Sequence, residues 1–221
     1  MKSKLCALLL LGTLLLTPAA PARSRKNRGL SPAPGSFDYY LLALSWAPEW
    51  CAEDASRANS PECTPGKHIG FIVHGFWPEV NQGQNPEFCG TASRVPNSSM
   101  KVALPLMLSA NLVQHEWAAH GTCSGLNVYD YFTGLAQARG EVQVPVQLNS
   151  AASDLRLSPL EIEAQFRAAN SAFPKDAFRT ACTRGALEEE RICFNKSFKP
   201  QSCTANVAEC QQAKVDIPPA R

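Results

Sequence analysis

Three of the four histidines in the chain fall in two short segments whose other residues suit proton transfer. The first segment is His74-Gly75-Phe76-Trp77-Pro78-Glu79. The second is His115-Glu116-Trp117-Ala118-Ala119-His120-Gly121-Thr122-Cys123. An isolated histidine is most often a packed, satisfied side chain, whereas three clustered with a carboxylate at element ends point to chemistry. His68 lies outside both segments and reads as structural. The second segment does not read as a zinc-protease helix, which needs H-E-x-x-H with its ligands four apart. His115 and His120 are five apart, about 140° around a helix of 3.6 residues per turn. Glu116 and His120 are the pair at four, so a carboxylate shares a face with an imidazole and can orient it. That set suits acid–base catalysis better than metal binding, and neither a metal nor a cofactor is expected.

Two imidazoles in opposite protonation states can carry out a phosphoryl transfer, one taking a proton from the nucleophile and the other giving one to the leaving oxygen. RNA brings its own nucleophile, the 2′-hydroxyl beside every phosphate, while DNA lacks it. A third histidine can steady the charge that builds on the phosphoryl oxygens. Trp77 could stack on a base and Glu79 could accept its hydrogen bonds. Core packing is an equally good reading of Trp77 taken alone.

The elements around these residues follow from local pattern. Residues 37–46 (FDYYLLALSW) are almost continuously apolar and read as a buried strand. Residues 68–73 (HIGFIV) read as a second strand, ended by Gly75 and Pro78. Residues 109–120 look helical, stopped by Gly121, and Val128, Phe132 and Leu135 keep helical spacing before Gly140. Ser158-Pro159-Leu160-Glu161 is a capped helix start with proline at its first position, and Ile162, Phe166 and Ala169 form the buried stripe behind it. Beyond Pro174 the pattern is strand-like, with Ile192, Phe194 and Phe198 among four cysteines. No repeat or second domain boundary is visible, so the expected fold is a single α+β domain.

Composition narrows the functional classes. Of 221 residues 45% are hydrophobic and 18% charged, which excludes wholesale disorder. Lys2 and Lys4, then an apolar run over residues 5–16, then Ala20-Pro21-Ala22, describe a secretory signal over residues 1–22. The run is too short for the ~20 residues of a membrane span. Residues 23–36 form a basic tether rich in Pro, Gly and Ser, and residues 37–221 the catalytic domain. Without the signal, 19 cations meet 19 anions; without Arg23, Arg25, Lys26 and Arg28 as well, 15 meet 19, or −4 from Gly29 onward. A domain so balanced has no broad basic footprint for gripping a duplex. Cys6 leaves with the signal, and the eight cysteines that remain read as four disulfides, since no C-x-x-C pair suggests zinc. The expected location is therefore secreted or periplasmic, without stable membrane association.

The pair His-Gly-Phe-Trp-Pro and His-Glu-Trp-x-x-His-Gly-Thr-Cys resembles the two active-site segments of the ribonuclease T2 family, which includes the plant self-incompatibility ribonucleases. The likeness extends to the Phe37-Asp38-Tyr39-Tyr40-Leu41 opening, to Trp46 and to the cysteine-rich end. It implies a ribonuclease T2-like α+β domain with a central, mainly antiparallel sheet and flanking helices. It also implies a monomeric endoribonuclease that cleaves single-stranded RNA, and not DNA, through 2′,3′-cyclic phosphates. His74 would be the general acid and His120 the general base, with His115 and Glu116 assisting at the phosphate. Trp77 and Glu79 would hold the base 5′ of the cleaved bond, although aspartate is commoner at the second position. The implied pairing is Cys51–Cys63, Cys89–Cys123, Cys182–Cys210 and Cys193–Cys203. Four positions depart from the family pattern: Ala119 where lysine is usual, Leu112 and Val113 where aromatics are common, and Phe76 where leucine is.

Overall fold

A computed structural model describes residues 33–149 and 151–220; the expected signal, and the tether up to residue 32, lie outside the described residues. Among the described residues no helix is long and apolar enough to cross a membrane. Strand β1 (Tyr39–Trp46) leads into helix α1 (Ala47–Glu53), strand β2 (Phe71–Glu79), and helices α2 (Asn97–Met107), α3 (Ala110–Ala119), α4 (Val128–Glu141) and α5 (Val146–Asn149). Strand β3 (Leu155–Leu157), helix α6 (Pro159–Ala169) and strands β4 (Phe178–Thr183), β5 (Ala186–Phe194) and β6 (Val215–Ile217) complete the domain. The six strands make one sheet in the order β2-β1-β5-β6-β3, with β4 also on β5. Its pairs are antiparallel except β5 with β6, so the fold is α+β with a mainly antiparallel sheet and flanking helices.

All eight residues of β1 are buried, and the period of two divides them between layers. Tyr40, Leu42, Leu44 and Trp46 enter the main core with Phe132, Phe166 and Phe178, whereas Tyr39 and Leu41 pack with Cys193 and Cys203 on the opposite face. Phe76 crosses from β2 into the main core and stacks on Tyr40 with ring centroids 4.3 Å apart, an arrangement worth about 0.5–1.5 kcal/mol beyond the area it buries. Four disulfides join Cys51–Cys63, Cys89–Cys123, Cys182–Cys210 and Cys193–Cys203.

The structure corrects four local expectations. The second strand does not stop at Val73: it runs through Gly75 and Pro78 to Glu79. It is an edge strand, and at an edge a proline without an N–H is tolerated. Helix α4 likewise continues past Gly140. On α6 the capping box forms as the sequence suggests, but Ala169 is exposed. Asn170 takes the buried place, its amide donating to the carbonyls of Gln143 and Phe166. Phe198 lies outside any strand at φ 58°, its ring against Tyr40 and Phe76. Helix α2 has no counterpart in the sequence reading, because Pro105 near its end breaks the pattern.

Candidate active site

The sheet brings one set of side chains to the face opposite the main core. Along β1 and β2, Tyr39 pairs with Glu79, Leu41 with Trp77 and Ala43 with Gly75; the next pair is Leu44 with Val73, which leaves His74 as the extra residue of a bulge. Plain alternation would send His74 into the core behind Phe76. The bulge keeps Val73 in the core and turns His74 out beside Gly75 and Trp77, as bulges near functional sites commonly do. On the other side of β1, Ser45 pairs with Glu189 and Ala43 with Arg191. Glu189 and Arg191 thereby reach the same face as His74.

Helix α3, whose Val113 and Trp117 pack in the main core, brings Glu116 of the second segment to the side chains of this face. Ser109 caps its start by accepting from Leu112 N, and its last turn closes where His120 N donates to Glu116 O. Gly75 permits the close approach of strand and helix, and Gly121 makes room within the second segment. A Cβ on Gly121 would run into the Trp117 ring, and one on Gly75 into the Trp77 indole and the Glu116 carboxylate. Trp77 Nε1 donates to Glu116 Oε2 at 2.8 Å. Glu116 Oε1 lies 3.8 Å from His74 Nε2. The rings of His74 and His120 both approach Trp77, at centroid distances of 5.2 and 5.3 Å.

His74 Nδ1 is 2.5 Å from Glu189 Oε1. That oxygen also accepts from Ser45 Oγ at 3.1 Å, and Arg191 Nε donates to the other carboxylate oxygen at 2.9 Å. Neither Glu189 nor Arg191 was marked by the sequence reading. Glu189 sits in a run of three acids that resembles a solvated patch, yet Glu188 is exposed while Glu189 and Glu190 are buried. The available signal was the strand context, in which adjacent side chains cannot all face water.

The electrostatics separate the imidazoles. Burial, helped by the neighbouring His115 and His74, pulls His120 down to about 4. Burial acts in the same direction on His74, but the Glu189 hydrogen bond and the charges of Glu189 and Glu116 outweigh it and raise His74 above its usual value. With 38% of that side chain still open to solvent, the carboxylates rather than burial set the direction. Burial pushes Glu116 up to about 7, against the opposing pull of His74 and the Trp77 hydrogen bond. Burial also tends to raise Glu189, but His74 and Arg191 override it and hold this carboxylate at about 2.

Two cavities flank the histidines. One of about 340 Å³ is lined by Trp77, Glu79, Asn85 and His120, the other of about 280 Å³ by Trp50, Glu62 and Leu112, and His74 and His115 line both. Among the described residues, neither has a lysine or arginine in its lining. Glu79 faces the first cavity but is nearly enclosed, accepting from Tyr39 Oη at 3.0 Å, and burial raises its pKa against that hydrogen bond. The structure thus gathers His74, His115, Glu116, His120, Trp77 and Glu79 around one groove. Ala119 is buried at 2% exposure and Val113 at 0%, whereas Leu112 reaches the second cavity. Among the described residues, no group of three or more His, Cys, Asp or Glu side chains is placed to hold a metal ion.

Residues 37–203 match the model of the ribonuclease T2 family. A ribonuclease of Aeromonas hydrophila is 36% identical over 126 residues, covering 57% of this chain and 56% of the relative. A probable ribonuclease of Haemophilus influenzae is 25% identical over 183 residues, covering 77% and 62%. The chain thus spans between about half and two thirds of the length of these two relatives. Among solved structures, an RNase-related protein from Calystegia sepium superposes with a TM-score of 0.66 at 21% identity, covering 84% of this chain and 98% of its own. RNase NT, described in complex with 5′-AMP, superposes at 0.63 and 20% identity, covering 83% and 99%.

Proposed function

The chain belongs to the ribonuclease T2 family, and from that membership we propose that it is an endoribonuclease cleaving single-stranded RNA by metal-independent transesterification. The observation that carries the reading is the placement of two imidazoles on one cavity in opposed environments. His74 lies against the Glu189 carboxylate, which favours its proton, and His120 in a setting whose burial disfavours one. Pairs whose environments drive their pKa values apart assign the base and the acid. Neutral His120 takes the proton of the 2′-hydroxyl as that oxygen bonds to phosphorus. The P–O5′ bond breaks, and the proton on His74 Nε2 goes to the departing O5′. The product is a 2′,3′-cyclic phosphate, with His120 protonated and His74 neutral. Water can then open the ring with the two roles exchanged.

Glu116 and His115 assist at the phosphate. Near its pKa of about 7, Glu116 retains a proton much of the time below neutrality, so Oε1 can donate to a phosphoryl oxygen instead of repelling it. Oε2 is already engaged by Trp77. The Trp77 ring and Glu79 would hold the base 5′ of the cleaved bond, stacking and accepting its donors. No cofactor enters the reading. We place the enzyme outside the cytosol, a location that four disulfides support, and read it as a monomer free of membrane.

The test is digestion of RNA in excess EDTA with identification of the product ends. Cyclic phosphates and full rate are expected, together with no cleavage when the 2′-hydroxyls are replaced by hydrogen. Abolition by chelator alone, or cleavage of the deoxy strand, would sink the reading.

A further inference from the structure

We infer that Glu189 is a positioning residue of the reaction, fixing His74 with Nδ1 as a donor into the sheet and Nε2 turned toward the leaving oxygen. The inference rests on the proposed role of His74 as general acid. It starts from a contact spanning 115 residues, the 2.5 Å approach of His74 Nδ1 to Glu189 Oε1. A nearly enclosed carboxylate, 3% exposed, is tolerated only where partners satisfy it. Here each oxygen is held in a separate direction. Ser45 Oγ and His74 Nδ1 share Oε1, and Arg191 Nε takes Oε2. Ser45 and Glu189 are register partners on adjacent strands, so the backbone ladder itself sets the carboxylate's place. A simple ion pair with Arg191 would need neither the serine nor the bulge that turns His74 toward it.

The consequence for His74 concerns both nitrogens. With Nδ1–H donated to Glu189, the neutral ring can carry its acceptor only at Nε2, and the protonated ring presents Nε2–H to the groove. Across the groove Nε2 meets Glu116 of α3 at 3.8 Å. The other groups facing the ring are the Trp77 indole on β2, Glu188 and Arg191 on β5, and His120 beyond α3, with His115 lining the same cavities. Glu189 and Glu116 favour the imidazolium, whereas Arg191 and His120 oppose it. Glu189 alone among them holds a ring nitrogen at hydrogen-bond distance. After O5′ takes the Nε2 proton, the remaining proton stays on Nδ1 against Glu189, and the ring is set to accept from water in the second step.

Nitrogen-detected NMR of the histidines in wild type, Glu189→Gln and Glu189→Asp, together with kcat and KM against pH, tests this. In Glu189→Gln the imidazolium of His74 should bind its proton about tenfold or more weakly. The alkaline limb of kcat should move to lower pH, and kcat at neutrality should fall roughly 10²-fold with KM little changed. Glu189→Asp should recover part of both effects, because it keeps the charge. An unchanged spectrum of backbone amides away from the groove will show that the fold persists. His74 titrating as in wild type in the glutamine variant would overturn the inference, as would a wild-type pH profile. A wild-type protein that does not cleave RNA, while His74 still responds to Glu189→Gln, would instead count against the proposed reaction and leave the pairing standing.

Discussion

The indole nitrogen of Trp77 donates to Glu116 Oε2 at 2.8 Å, and this bond ties the strand-borne segment to the helix-borne one. It spends the only hydrogen-bonding group of the tryptophan inside the protein, so what Trp77 offers a nucleotide is its ring. It also settles which oxygen of Glu116 remains for the phosphate.

Trp77→Phe should therefore lower stability as well as activity. The change keeps an aromatic face but strips a nearly enclosed carboxylate of its donor, at a cost of about 1–3 kcal/mol. For a domain of this size that corresponds to a fall in Tm of roughly 2–12 °C. Differential scanning calorimetry at pH 7 checks it, and an unchanged Tm would mean that water replaces the indole.

The parts of this site legible in the sequence were those encoded locally. Ser109 and Gly121 bracket a helix by their own conformational preferences, so the place of Glu116 and His120 at its end could be read without a structure. The almost continuously apolar and aromatic run over residues 37–46 announced a buried strand. The β2 bulge was not legible, because the residue skipped by a register depends on the partner strand. Glu189 was hidden for the same reason: its contact with His74 exists only once β1 stands between β2 and β5. Gly75 and Pro78 misled in the other direction. They look like breakers, but one makes room for Trp77 and Glu116 and the other sits on a sheet edge.

The pH–rate curve should be bell-shaped. Below about 4, His120 becomes protonated and ceases to be a base. Above the raised pKa of His74, the acid loses its proton. The plateau should thus run from about pH 4 to beyond the ordinary histidine value. His74→Ala and His120→Ala should each lower kcat by roughly 10²–10⁴, the first flattening the alkaline limb and the second the acid limb. His68→Asn serves as the control, since His68 is exposed, lies outside the groove and adopts a φ of 51° that asparagine also accepts. A wild-type rate in either histidine variant, with the fold intact, would reassign the roles.

Stability should respond to pH through Glu116. Its folded pKa of about 7 exceeds the ordinary 4.5, so the folded state holds the proton more tightly. The stabilisation is complete below 4.5 and is lost as pH rises through 7, an effect of about 3 kcal/mol. His120 has the opposite sign: lowered to about 4, it stabilises above its ordinary value and loses that contribution as pH falls. The two oppose each other between pH 4 and 7, which should leave the wild type with a shallow profile. Glu116→Gln removes one of them. The variant should be more stable than wild type at pH 8, and the gap should close on acidification, because His74 and His120 titrate in both proteins. Urea denaturation at pH 5 and pH 8 measures the difference, and a gap between the proteins that does not change with pH would refute the assignment.

The disulfide Cys89–Cys123 should matter for turnover as well as for stability. It closes 34 residues, a segment that contains α2 and α3, and its removal should cost about 3–4 kcal/mol from the closure entropy. Cys193–Cys203 closes only 10, and by the same logarithmic relation its loss should cost about 1 kcal/mol less. The two bridges differ more in what they hold. Cys123 N donates to His120 O, Phe88 N donates to Ala119 O at 2.7 Å, and Gly35 N donates to Cys123 O. The bridge therefore clamps the 88–89 loop to the helix end on both sides of the proposed base. A misplacement near 1 Å can cost up to about 10²-fold in rate, so Cys89→Ala/Cys123→Ala should lower kcat by roughly tenfold at temperatures where it remains folded. Removing Cys193–Cys203 should lower Tm while sparing kcat at those temperatures. Calorimetry and dinucleotide kinetics on the two double variants separate these effects. Equal turnover in both, after correction for the folded fraction, would reduce Cys89–Cys123 to a staple of the fold with no part in positioning His120.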